Sequence, residues 1–148
     1  MSLPIVPGPN NQLITGSLPT QYGFTSNYVQ SDTGSVTIAS SSTTPASVVN
    51  VSITTTGNPV FISCTGDANN LSAGAFCRFQ LYRGSTAIGK KVQAEGDAAN
   101  ENSPFGITCI DNPPAGTYTY ALKVTTITGG NFQFGEADGP NLTVFEIR

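Results

Sequence analysis

The chain has 148 residues, the size of one domain, and only 15 charged side chains: 6 Lys/Arg and 9 Asp/Glu, for a net charge of −3. Thr, Ser and Asn occupy 19, 14 and 12 positions, so hydroxyls and amides carry its solubility, while 38% apolar residues supply a core and argue against overall disorder. Histidine is absent, which removes Ser-His and Cys-His nucleophile pairs, His metal sites and the usual general base near neutral pH, so the chain is not expected to be an enzyme.

Charge is unevenly placed. From Met1 to Gly66 the only charged side chain is Asp32, and all 6 Lys/Arg lie from Arg78 onward. An acidic chain without a basic stripe has no footprint for nucleic acid. The start lacks the positive n-region and apolar run of a secretory signal. No stretch approaches the roughly 18–20 apolar residues that span a bilayer. A soluble protein with neither a nucleic-acid nor a membrane partner is expected.

Residues 1–34 are predicted to form an extended N-terminal arm. Pro4, Pro7, Pro9 and Pro19, with Gly8, Gly16 and Gly23, forbid regular helix and break strand pairing. Yet Leu3, Ile5, Val6, Leu13, Ile14, Leu18, Tyr22, Phe24, Tyr28 and Val29 are too apolar for a solvated tail. Such an arm needs a surface to lie on, whether its own domain, a sister subunit or another protein.

Residues 35–148 form the predicted domain. Apolar residues there alternate with period two, and no window keeps the helical spacing free of Gly, Pro or Ser/Thr breaks. The alternation predicts strands over Ser35–Ala39, Ser47–Thr55, Pro59–Thr65, Phe76–Tyr82, Thr86–Gln93, Pro104–Asp111, Thr117–Thr126, Asn131–Gly135 and Asn141–Ile147. Turn-forming residues separate them, including Thr56-Gly57-Asn58, Gly66–Asn70, Arg83-Gly84-Ser85 and Glu95–Ser103. Many short strands with regular turns predict an all-β sandwich or barrel.

Cys64, Cys77 and Cys109 each share the apolar phase of their segment, as in Val60-x-Ile62-x-Cys64, and are expected to be reduced core thiols. In Thr117–Thr126, Tyr118, Tyr120, Leu122 and Val124 share one face. The segment Asn141–Ile147 is apolar both ways: Leu142 and Val144 share one face, Phe145 and Ile147 the other. A strand apolar on both faces must be covered on both. A two-layer sandwich buries one face of each sheet, so the arm or another subunit must cover the second.

No candidate chemistry rises above a plain structural reading. Glu95–Glu101 and Asp67, Asn69 and Asn70 offer oxygen ligands without the spacing of a calcium loop, and read as solvated turns. Lys90-Lys91 with Arg78 and Arg83 form the only basic cluster, read as surface charge. No cofactor and no metal are expected.

The run Asp111-Asn112-Pro113-Pro114-Ala115-Gly116-Thr117-Tyr118-Thr119-Tyr120-Ala121-Leu122-Lys123-Val124 resembles the Pro-x-Gly-x-Tyr-x-Tyr strand entry of tumour-necrosis-factor-like and complement-globular-head-like jelly rolls. The close, Asn141–Ile147, is similar to the final strand of bacteriophage versions of that fold. The resemblance is strongest over residues 104–147. It implies an antiparallel two-sheet jelly roll that assembles as a compact homotrimer, with the Tyr-bearing strand and the last strand both in the inner sheet near the trimer axis. Tyr118, Tyr120, Phe145 and Ile147 are then trimer-interface candidates. Together with the arm, the resemblance points to a virion protein of the head-decoration (cement) type on the outer surface of a phage capsid. Leu3, Ile5, Val6, Leu13, Ile14, Leu18, Tyr22 and Phe24 would grip the major capsid protein. The alternative is a receptor-binding tip of a tail fibre or spike that recognises host carbohydrate.

Overall fold

The computed structural model describes the backbone of residues 6–7, 13–14, 24–32, 34–136 and 139–147, with side chains described for residues 31, 34–136 and 139–147. Every helix or strand in that set is a strand. β1 (Val6–Pro7) and β2 (Leu13–Ile14) pair with each other. The rest are β3 Phe24–Asp32, β4 Val36–Ile38, β5 Ala46–Thr55, β6 Val60–Asn70, β7 Phe76–Arg83, β8 Thr86–Glu95, β9 Glu101–Asp111, β10 Gly116–Thr128, β11 Phe132–Phe134 and β12 Asn141–Ile147.

These strands build two antiparallel sheets. One has the order β5-β10-β7-β8; the other follows β3-β12-β6-β11-β4, with β9 on the second flank of β6. The length of β6 makes this possible. It takes β12 beside Val60–Thr65 and β11 beside Ala68–Asn70 on one flank, and β9 along the whole of the other. Of the connections from β5 to β10, only β7–β8 stays within one sheet. That interleaving makes the sandwich a jelly roll.

Alternation delivers one face of each strand to the core. Val60, Ile62, Cys64, Phe79, Leu81, Tyr120, Leu122, Val124, Leu142 and Val144 are all fully buried between the sheets. Phe79 packs on Phe105 (4.8 Å between centroids) and edge-on to Phe134 (5.6 Å), which joins β7 to β9 and β11 across the sandwich. The β7–β8 hairpin closes through Gly84-Ser85, with Gly84 at φ 57° and Arg83 opposite Thr86. A two-residue turn of this kind favours positive φ, as the Arg-Gly pair in the sequence indicates.

Three sequence expectations change. The last part of the predicted arm is a strand: Phe24–Asp32 pairs antiparallel with β12, Val29 opposite Val144. The Pro and Gly breakers lie outside that stretch, which holds neither residue type, so its backbone is free to pair. Second, Gly66–Asn70 is not a loop but the end of β6, and β9 begins at Glu101 rather than Pro104. The register from Gly66↔Phe105 to Asn70↔Glu101 satisfies those polar residues' backbones through partners more than 30 positions away. Third, the Tyr-bearing strand β10 and the last strand β12 lie in different sheets, because the chain crosses the sandwich between them.

The turn left between β8 and β9 is organised by one buried amide. Asn70 Nδ2 lies within hydrogen-bond distance of the carbonyls of Ser72 (3.0 Å), Gly96 (3.1 Å) and Ala98 (2.7 Å), and Asn70 Oδ1 accepts from Glu101 N at 3.1 Å. A Cβ at position 96 would meet Asn70 Oδ1 at 2.5 Å, so glycine is required there.

Candidate assembly surface

The outer face of the six-stranded sheet changes character along its strands. Near one end, Phe145, Phe61 and Ile110 stand in cross-strand register over β12, β6 and β9. Phe61 and Phe145 stack with centroids 5.0 Å apart and 27° between planes. Both remain partly exposed, and Ile110 is 60% exposed, the one large exposed hydrophobic among the described residues. The next row in register is Thr143, Ser63 and Thr108, and the one beyond it is Asn141, Thr65 and Gly106. The face therefore grades from aromatic to hydroxyl-bearing to polar.

Phe145 and Ile147 thus lie where the two-faced pattern of the last strand puts them, outward and half-buried, with Leu142 and Val144 inward. The inward phase also contains Glu146, fully buried, which the sequence reading passed over. Its Oε1 accepts hydrogen bonds from Thr56 N (2.7 Å), Thr56 Oγ1 (2.8 Å) and Asn58 N (3.1 Å). Those donors sit in the Thr56-Gly57-Asn58 turn, so the carboxylate ties the β5–β6 connection to the end of the chain. A following bond, Ile147 N to Pro59 O at 2.7 Å, continues the tie.

The tyrosine candidates are placed differently. Tyr120 is fully buried within the sandwich, so its ring has no surface to offer a partner. Its hydroxyl donates to Asp111 Oδ2 at 2.9 Å, and Arg83 Nη1 reaches the same oxygen at 2.8 Å. This node joins β7 and β10 of one sheet to β9 of the other. Burial, then the bond to Asp111, pushes the Tyr120 hydroxyl's pKa well above its ordinary value of 10.0. Tyr118 is half-buried beneath the Arg83 guanidinium, 5.3 Å from its ring centroid. Both tyrosines belong to the four-stranded sheet, away from the Phe145 row.

Of the arm candidates, Leu3, Ile5, Leu18 and Tyr22 lie outside the described residues. Val6 pairs with Ile14, and Leu13 with Pro7, in the small β1–β2 ladder, while Phe24 stands opposite Ile147 in the register of β3.

The predicted basic cluster does not gather. Arg83 turns inward to Asp111, whereas Arg78 lies on the outer face over Phe76 and donates from Nε to Gln93 Oε1 at 2.8 Å. Lys90 and Lys91 are exposed on β8. All three cysteines are free, with Cys64 and Cys77 fully buried and Cys109 partly so. Burial pushes Cys64 and Cys77 from an ordinary 9.0 up to about 12, and Cys109 to about 11, helped there by the charge on Asp111. Thiols held this far from ionisation are poor nucleophiles and poor metal ligands at neutral pH. Among the described residues no three His, Cys, Asp or Glu side chains gather in metal-binding range.

No protein-family model matches the sequence, and no curated protein does. Among solved structures, the chain is similar to an Eiger TNF from S. frugiperda at 10% identity and TM-score 0.49, over 82% of this chain and 94% of that one. It is also similar to an infectious bursal disease virus structure (Gx strain) at 13% identity and TM-score 0.36, over 82% of this chain but 33% of that one. A virus-like particle of the extra small virus of the giant freshwater prawn Macrobrachium rosenbergii matches at 14% identity and TM-score 0.27, over 100% and 97% of the two chains.

Proposed function

We propose that this chain is a structural virion protein of the head-decoration type, a homotrimer seated on the outer surface of a phage capsid. The observation that carries the reading is the Phe145–Phe61–Ile110 row, an apolar strip facing out of the sandwich beside the last strand. Contiguous exposed apolar surface on a small soluble domain marks an interaction site. A second copy of the chain is the occupant assigned to it. A standard interface buries roughly 1,200–2,000 Å² in total, within reach of one such sheet face per subunit. The residues ahead of β3 then remain for the major capsid protein.

The function is adhesion by burial, not catalysis. The chain has no His and its thiols are held protonated by burial, while Ser52 with Thr119 (2.8 Å) and Thr54 with Thr117 (2.9 Å) bond to each other across the outer face of the four-stranded sheet.

Truncation tests the division of labour. Deleting residues 1–23, which keeps β3 whole, is expected to leave a folded trimer that no longer decorates capsids. Full occupancy of capsids by the truncated chain, measured by co-sedimentation, would contradict the arm's role. Deleting residues 1–30 instead would cut into β3 and expose the flank of β12, so it confounds binding with stability.

A further inference from the structure

At the polar end of the same outer face, we propose that Asp67, Asn69 and Glu136 hold a calcium ion. Alternation puts Asp67 and Asn69 on this face, opposite in phase to Ala68 and to Asn70, whose amide points into the turn at Gly96 and Ala98. Glu136 follows β11 on one flank of β6; its backbone N donates to Asp67 Oδ2 at 3.2 Å. Its carboxylate accepts from Asn102 Nδ2, which belongs to β9 on the other flank. The Glu136 side chain therefore spans β6, from beside Asp67 to Asn102, the cross-strand partner of Asn69.

Asn69 is the observation that points to a ligand. It is 1% exposed, and its Oδ1 is the one buried side-chain N or O among the described residues without a hydrogen-bond partner. Its neighbours donate elsewhere: Asn102 Nδ2 to Glu136, and Gln133 Nε2 to Ser35 Oγ at 2.7 Å. A buried carbonyl oxygen left bare is costly, and such exceptions in native structures call for an ion or a water. Charge selects the ion. Every described Lys and Arg lies on β7, β8 or β10 of the other sheet, so Asp67 and Glu136 have no basic side chain on their own.

Two carboxylates and an amide carbonyl, from one strand and one turn, make an all-oxygen set of irregular shape. Calcium accepts such sets with water completing the shell, whereas magnesium demands near-octahedral geometry and dehydrates reluctantly. With only two charged ligands, the affinity expected is that of weak modules, about 10⁻⁴–10⁻³ M.

The test uses the full chain stripped with EDTA, melted and titrated calorimetrically with CaCl2 and separately with MgCl2. The proposal expects a melting midpoint that rises with calcium and saturates in the millimolar range, with one ion bound per chain. It expects that response to vanish in Glu136→Gln, a change at an exposed residue, and in Asp67→Asn; if Asp67→Asn does not fold, Glu136→Gln decides. Absence of a calcium response, an equal response to magnesium, or a full response in Glu136→Gln would each overturn the site and leave Asn69 Oδ1 to a water molecule. None of these outcomes depends on capsid binding or on oligomeric state.

Discussion

Replacing Glu146 with alanine is expected to cost roughly 3–4 kcal/mol of folding stability, a large fraction of what a domain of this size holds. The carboxylate is fully buried and its Oε1 gathers two backbone N–H groups and a hydroxyl from the Thr56–Asn58 turn. Hydrogen bonds to a charged acceptor are worth about 1.5–3 kcal/mol each, offset in part by the cost of keeping the carboxylate out of water. Alanine removes the acceptor and leaves a cavity beneath the turn. Glutamine keeps one oxygen in place without the charge, so Glu146→Gln is expected to lose about half as much. Urea midpoints at neutral pH measure both. An alanine variant within about 0.5 kcal/mol of wild type would show that water serves those donors equally well.

Alkaline pH is expected to destabilise the protein through its buried thiols. Cys64 and Cys77 ionise near 9.0 in an open chain but only at about 12 when buried in the sandwich. Between those values the unfolded state has released protons that the native state still holds, so stability falls as pH rises. It is unaffected below about pH 8. Each thiol contributes about 1.4 kcal/mol per pH unit inside the window, so the pair removes roughly 4 kcal/mol by about pH 10.5. Tyr120 adds to the loss above pH 10, since its hydroxyl too is held protonated by burial and by Asp111. Chemical denaturation across pH 7 to about 11 reads the slope, and Cys64→Ala should remove one thiol's share. A flat profile through that range would mean that the thiols are not shielded from solvent in solution.

The fold was largely legible because its signal is local. Alternation such as Val60-x-Ile62-x-Cys64 reports which face of a strand is buried, and the Arg83-Gly84-Ser85 run reports a tight turn from conformational preference alone. What escaped was whatever depended on partners far along the chain. Phe24–Asp32 carries no core pattern of its own and is a strand because β12 offers an unpaired flank. Gly66–Asn70 looks like a loop until β9 and β11 satisfy its backbone. Glu146 was hidden because a charged residue in an apolar phase reads as an interruption, and only its distance to Thr56 shows what holds it there. Tyr120 and Asp111 stand nine positions apart, yet their meeting depends on the crossing from one sheet to the other. The aromatic strip was half visible: Phe145 and Ile147 declared themselves, whereas Phe61 and Ile110 required the register.

The mass of the protein in solution decides whether that strip is an interface. Sedimentation equilibrium at micromolar concentration should give three times the 15.3 kDa chain for the wild type. The same experiment on Ile110→Asp, an exposed position whose change leaves the core untouched, should give one chain of unaltered β-sheet circular dichroism. A wild type that sediments as a single 15.3 kDa chain would contradict the account.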